Sequence, residues 1–423
     1  MEEKVIGTTE KVLIFLVLFS LIFLQRFAIP VEEFQISLVL LFSVVSVMIL
    51  FFSNKIEIDK KRLTIYLCAI SGLCIASIYG LLTVKDVGLT SLLSVVAFYI
   101  PFLFINKNKG TLTYIFSVYQ GSIIVVAILG IFQFFLQFTS LGFIDPIQHL
   151  PEPFLLSNYN TQNPLYFGSP YIKANGLFLL EPSFYSKMLA IGIVIEFLTK
   201  KRLMIMVLFF IGMLFSFSGT GFIILAIASI PILLKLKPFK MMILVVMVSI
   251  PIFFLFDKGY GDVFIDRIKE FNTPDTSANV RFVAPWLTYK EFIELEDPGT
   301  ILFGLGAGTL TDFHGKEYTF DELSTAYHTA HPSVFIKLFV EYGIIGGLLF
   351  VFFLIYTFLS STKNKLLTAV LFINYSFLAN SLLEPITVFL CFILGVFATA
   401  DGKIVSKEMK GTSNTREQQP EVA

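Results

Sequence analysis

Residues 334 to 360 begin Val334-Phe-Ile-Lys337-Leu-Phe-Val-Glu341-Tyr-Gly343-Ile-Ile-Gly346-Gly-Leu-Leu-Phe350 and continue apolar to Ser360. A helix needs about 20 apolar residues to cross the hydrocarbon core, so this run reads as a membrane span. It carries two charges. Lys337 and Glu341 stand four residues apart and share a helix face, where they can pair or line a cavity. Lys337, near the end of the run, is placed to snorkel to the interface. Glu341 lies deeper and needs a packing or functional partner.

The rest of the chain repeats the pattern. Of 423 residues, 56% are hydrophobic and 15% charged, too apolar for a soluble globular chain of this length and typical of a polytopic membrane protein. Further apolar runs fall at 11–30, 34–53, 63–83, 88–106, 111–137, 183–199, 203–217, 220–234, 241–256, 366–380 and 385–400. Those at 203–217 and 220–234 are short, and their fusion through Ser216-Phe-Ser-Gly-Thr-Gly221 would invert the topology downstream.

Basic residues test the count independently, because cytoplasmic segments are enriched in Lys and Arg. With the N-terminus inside, the inner segments collect Lys4 and Lys11, then Lys55, Lys60, Lys61 and Arg62, then Lys107 and Lys109. Further along they hold Lys200, Lys201 and Arg202, Lys235, Lys237 and Lys240, Lys363 and Lys365, and the basic residues of the tail. Short outward segments hold only Lys85, and Arg26 at the outer end of the first span is placed to snorkel. The expectation is an all-α polytopic membrane protein of about twelve transmembrane helices with both termini cytoplasmic. One transmembrane domain covers 1–400, and a disordered cytoplasmic tail covers 401–423. Two long segments face outward: 138–182, and a large loop at 257–333 between the ninth and tenth helices.

A net charge of zero argues against nucleic acid as a partner. Cys68, Cys74 and Cys391 fall inside spans, where they act as small apolar residues and imply neither a disulfide framework nor a metal cluster. The first span lacks the features of a cleaved signal and is expected to be retained.

The outward loops concentrate the polar chemistry. In the larger one, Phe282, Trp286, Tyr289, Phe292, Ile293 and Leu295 recur at helical spacing, which predicts an amphipathic helix lying on the membrane or capping a cavity. Glu294, Glu296 and Asp297 read as a solvated helix end. Gly304, Gly306 and Gly308 permit tight backbone geometry near the bilayer, and no phosphate-loop or dinucleotide fingerprint accompanies them. The smaller loop closes with Gly176-Leu-Phe-Leu-Leu-Glu181-Pro182-Ser-Phe-Tyr185, and the tetrapeptide Leu-Leu-Glu-Pro recurs at Leu382 to Pro385. Proline suits a first helical turn and a carboxylate suits the positive end of the helix dipole, so helix capping and a functional role both stand for Glu181 and Glu384.

These residues together resemble the polysaccharide polymerase and O-antigen ligase superfamily. The matching elements are Gly176 to Ser183, the turn Ser218-Gly-Thr-Gly221, Arg281 with Trp286, the Gly304 to Gly308 string, and His331 followed by Glu341-Tyr-Gly343 and Gly346. They cover about residues 170 to 346. In one departure from the family pattern, His331 precedes Pro332 and stands a residue further from the Glu-x-Gly, so His328 and His331 can exchange roles.

The resemblance implies a membrane-embedded, inverting glycosyltransferase acting at the outer face of the bacterial inner membrane. Its substrate would be an oligosaccharide repeat unit on polyprenyl pyrophosphate. Membrane lipid, a chain-length regulator and a flippase are further implied partners. The pyrophosphate already activates the donor, so no cofactor is needed, and the chain has no Asp-x-Asp pair, in keeping with metal-free transfer. Proton removal from the acceptor hydroxyl falls to His331, with Glu181 second. Charge on the departing pyrophosphate falls to Arg281, with Arg267 and Lys337 behind it. His328, Glu341, Tyr185 and Glu384 complete the expected substrate-binding set. A polymerase is expected, with an O-antigen ligase acting on lipid A core as the nearest alternative. A secondary transporter or lipid-linked oligosaccharide flippase is the alternative from another class.

Overall fold

The computed structural model describes residues 5–31, 34–83, 87–106, 108, 110–157, 159–165, 168–233, 269, 272–273, 279, 283–294, 297–310, 333–361, 364–378 and 382–398. The expected span at 241–256 and the tail from 401 lie outside them. Among the described residues the chain is helical, and the helices follow the apolar runs. They are α1 (Thr8–Phe23), α2 (Leu38–Phe52), α3 (Lys60–Thr83), α4 (Leu89–Tyr99), α5 (Thr111–Leu136), α6 (Pro182–Leu198), α7 (Leu203–Phe215) and α8 (Gly219–Leu233). Then follow α9 (Ala284–Glu294), α10 (Pro298–Phe303), α11 (Val334–Ser361), α12 (Lys365–Leu378) and α13 (Pro385–Cys391), the last continued by a π-helical turn at Phe392–Val396. Three of them, α3, α5 and α11, are long and apolar enough to cross a membrane by length and composition.

The described residues show a membrane-type exterior. Leu82, Leu93, Phe132, Met204, Phe352 and Leu359 are exposed on helix surfaces, where hydrocarbon rather than water is the favourable neighbour. α3 packs along α11 with Gly72 against Gly346, a small-residue contact that lets two backbones approach without a hydrophobic driving force. α6 packs on α7 and α8. The rings of Phe210 in α7 and Phe222 in α8 lie 6.2 Å apart. In one continuous helix, twelve residues would separate them by about 18 Å, so α7 and α8 are two helices folded back at Ser216–Ser218.

Polar contacts gather at the two ends of the bundle. At one end, Glu10 in α1 accepts from the Asn106 and Asn108 side chains at 3.0 and 2.6 Å. Near it the Arg62 guanidinium donates to the Phe102 and Val396 carbonyls and the Ser361 hydroxyl. Arg62, counted by its sequence position among the basic residues of the inner segments, is fully buried. At the other end, the short antiparallel hairpin β1 (Ala28–Val31) and β2 (Phe34–Ser37) receives the loop after α5. Gln35 donates to the Leu155 carbonyl at 2.8 Å and accepts from the Ser157 amide at 2.9 Å.

Arg26 departs from expectation. It does not snorkel: its guanidinium is buried, 2.6 Å from Asp145 and 3.0 Å from the Leu177 carbonyl. A guanidinium at the end of an apolar helix needs a desolvated anion as much as it needs water, and the loop supplies one.

Candidate functional site

The loop 138–182 is shaped by a local conflict that glycine resolves. Gly176 and Leu177 both have positive φ, 71° and 68°. Gln133 holds this turn by donating to the Asn175 side-chain carbonyl at 3.1 Å and accepting from the Asn175 amide at 3.1 Å. The turn aims the chain so that Glu181 stands at the N-cap of α6 and Pro182 in its first turn. Glu181 does not cap with its side chain. It accepts instead from the Ser183 hydroxyl at 2.9 Å and the Asn160 amide at 3.4 Å.

The Ser218 to Gly221 turn meets the same helix. Thr220 donates to the Ser183 carbonyl at 3.0 Å, and Ser186 accepts from the Gly221 amide at 3.1 Å. A Cβ on Gly221 would stand 2.6 Å from the Ser186 carbonyl, so close packing is why this turn needs glycine. Two motifs far apart in sequence are one piece of structure.

The second Leu-Leu-Glu-Pro copy arrives at the same place. Glu384 caps α13, accepting from the amides of Ile386 at 2.9 Å and Thr387 at 3.0 Å. Both oxygens are thereby engaged by the helix end, as the capping reading requires. Lys187, one and a half turns into α6, donates to the Thr387 hydroxyl at 3.0 Å and lies 3.6 Å above the Phe184 ring. Its buried ammonium joins the two helix starts.

Tyr159, from the loop 138–182, stacks edge-on to Phe184 at 6.1 Å. Burial holds its phenol well above the usual tyrosine range, and the Glu384 and Glu181 carboxylates push in the same direction. One polar centre therefore combines Tyr159, Glu181, Lys187, Glu384 and Thr387. Sequence reading missed Tyr159, Lys187 and Thr387. The available signal for Lys187 was a charge placed inside a predicted span.

A second cluster forms at the start of α11. Gly343 has φ 62° and ψ −173° inside that helix, which interrupts the i→i+4 ladder. The Val340 and Glu341 carbonyls instead accept from the amides of Leu305 at 3.0 Å and Gly306 at 2.8 Å. The glycine string then continues to the N-terminus of α4, where Gly88 donates to the Ala307 carbonyl at 2.7 Å.

Lys337 and Glu341 form an ion pair of 2.8 Å on this helix. That corrects the expectation that Lys337 snorkels and gives Glu341 the partner it needs. The Gly308 and Leu310 amides face the same carboxylate. α9 is present where its spacing predicts, with Phe292 packed against Ile336 and Val340. Glu294 meets Lys290 at 3.6 Å on the surface, and Asp297 caps α10 through the Thr300 amide at 2.8 Å. The Thr300 hydroxyl and amide hold the Asp297 carboxyl below the usual range. These are the contacts of a solvated helix end.

Tyr185 also departs from expectation. Its ring is fully buried against Gly130, Gly176 and Gly212, and its hydroxyl donates to the Ala127 carbonyl at 3.2 Å, so it packs α5, α6 and α7 together instead of facing a ligand. Arg267, Arg281, His328 and His331 lie outside the described residues. Among the described residues no group of three metal-ligating side chains occurs. No protein-family model matches the chain, and no curated protein matches it in sequence.

Proposed function

We propose that the chain is a membrane glycosyltransferase that joins polyprenyl-pyrophosphate-linked repeat units of a surface polysaccharide, an O antigen or a capsule, at the outer face of the bacterial inner membrane. In this reading twelve spans, with both termini cytoplasmic, bring residues 138–182 and 257–333 to the outer face. The observation that carries it is the convergence of Tyr159, Glu181, Lys187 and Glu384 where the outward loop docks on two helix N-termini. The Lys187 ammonium favours a phosphate group, and the Glu181 carboxylate can accept a proton.

The acceptor hydroxyl oxygen bonds to the anomeric carbon as the bond from that carbon to the pyrophosphate oxygen breaks, with inversion. The hydroxyl proton passes to His331 or Glu181, and the pyrophosphate leaves with the bonding electrons. Arg281 meets the charge that develops there, with Arg267 behind it. Lys187 is added as a further cation beside them, while Lys337 pairs with Glu341 at 2.8 Å.

The test is the set of carrier-linked intermediates in cells lacking the protein. Single repeat units on carrier are expected. Long carrier-linked chains would assign the protein as a ligase instead, and unchanged polymer after joint replacement of Arg281 and His331, at normal protein level, would remove the enzyme assignment.

A further inference from the structure

We propose that α9 is an interfacial anchor whose exposed face seats in the headgroup and upper acyl region of the bilayer, with Trp286 in contact with lipid. The inference does not depend on the reaction catalysed. α9 has two faces. Ala284, Thr288 and Phe292 are buried, and Tyr289 lies 6.1 Å from Phe339 of α11, so one face is fixed on a helix long and apolar enough to cross a membrane.

Trp286, Leu287, Lys290, Ile293 and Glu294 form the other face, at helical spacing. Trp286 remains 53% exposed and Ile293 44% exposed, unusual for a tryptophan and an isoleucine on a short helix outside the bundle. Leu302 of α10 is exposed beside them in sequence, and Phe303 packs on Tyr79 of α3 at 5.3 Å.

The choice of bilayer over protein as occupant rests on continuity and composition. α9 and α10 sit on α11 and α3, whose own exposed residues, Ile78 and Leu82 on one and Ile345 and Leu348 on the other, are apolar. The α9 face thus extends a surface already suited to hydrocarbon. It also carries the exposed Lys290–Glu294 pair, which the hydrocarbon centre would reject and the headgroup region accepts. Tryptophan is the residue enriched at that depth.

Trp286 is the only tryptophan in the chain, so the intrinsic fluorescence of the full-length protein reports this position alone. The experiment reconstitutes wild type into phosphatidylcholine vesicles containing lipids brominated at a shallow or a deep acyl position. The expected result is a blue-shifted emission quenched by brominated lipid, more by the shallow than by the deep bromine. Emission indifferent to both lipids but quenched by aqueous iodide would overturn the proposal and place Trp286 in water. Emission shielded from both quenchers would overturn it in favour of a second copy or another protein covering α9. In a Trp286→Phe background, Tyr289→Trp moves the probe to the face packed on α11 and should abolish lipid quenching.

Discussion

The Lys187 ammonium donates to the Thr387 hydroxyl across 3.0 Å, joining α6 to α13 through residues 200 positions apart. Each helix begins with Leu-Leu-Glu-Pro, so the contact fixes the two copies relative to one another. Thr387→Val removes the acceptor while keeping the shape. A hydrogen bond to a charged group is worth about 1.5–3 kcal/mol, and a loss of that order is expected in thermal unfolding of the detergent-solubilised protein. Thr387→Ser should recover most of it.

Arg26 and Asp145 make a parallel case on the loop 138–182. Removing one partner of a buried pair leaves an uncompensated charge, at a cost of about 3–5 kcal/mol. Asp145→Ala should therefore destabilise strongly and make the segment 138–182 susceptible to protease added to the detergent-solubilised protein. The double replacement Arg26→Met with Asp145→Leu should be much milder in both assays.

Gly343 and Gly142 both have positive φ, but their surroundings differ. A Cβ at Gly142 meets open space, whereas one at Gly343 would overlap the Leu302 carbonyl and the Gly304 amide. Gly142→Ala should cost only the left-handed conformational penalty of about 1–2 kcal/mol. Gly343→Ala should cost clearly more and release the glycine string from α11, read as a lower melting temperature and reduced yield of folded protein.

Tyr159 predicts an alkaline limit. Its folded phenol titrates above its ordinary value of 10.0 because burial and two carboxylates disfavour the phenolate. The stability so gained is complete below pH 10 and is lost as pH rises toward the folded value, since only the unfolded chain ionises in that interval. Melting temperature should fall above about pH 10, and Tyr159→Phe should reduce the slope there.

For the proposed reaction, His331→Ala and Arg281→Ala should each sharply reduce polymer and accumulate one-repeat carrier lipid. A general base contributes about 10²–10⁴-fold, so chain growth in His331→Ala should fall by about that factor. His328→Ala, compared in the same polymer-length profile, identifies which histidine faces the acceptor.

Sequence by itself indicated a helical, membrane-type chain, because a spanning segment must stay apolar over about 20 residues, and three of the described helices reach that length. Runs such as 111–137 and 334–360 coincide with α5 and α11 to within a residue or so. It also marked the glycines of 304–308 and the paired Leu-Leu-Glu-Pro copies as unusual. What it left open was partnership. Arg26, Lys187 and Lys337 look alike as lysines or arginines near span ends, and hydropathy places all three by the same rule. Tertiary structure separated them, giving Arg26 to Asp145, Lys337 to Glu341 and Lys187 to Thr387. The reason is physical: in a low-dielectric interior a charge is decided by the nearest group able to compensate it, and that group lies elsewhere in the sequence in two of the three cases.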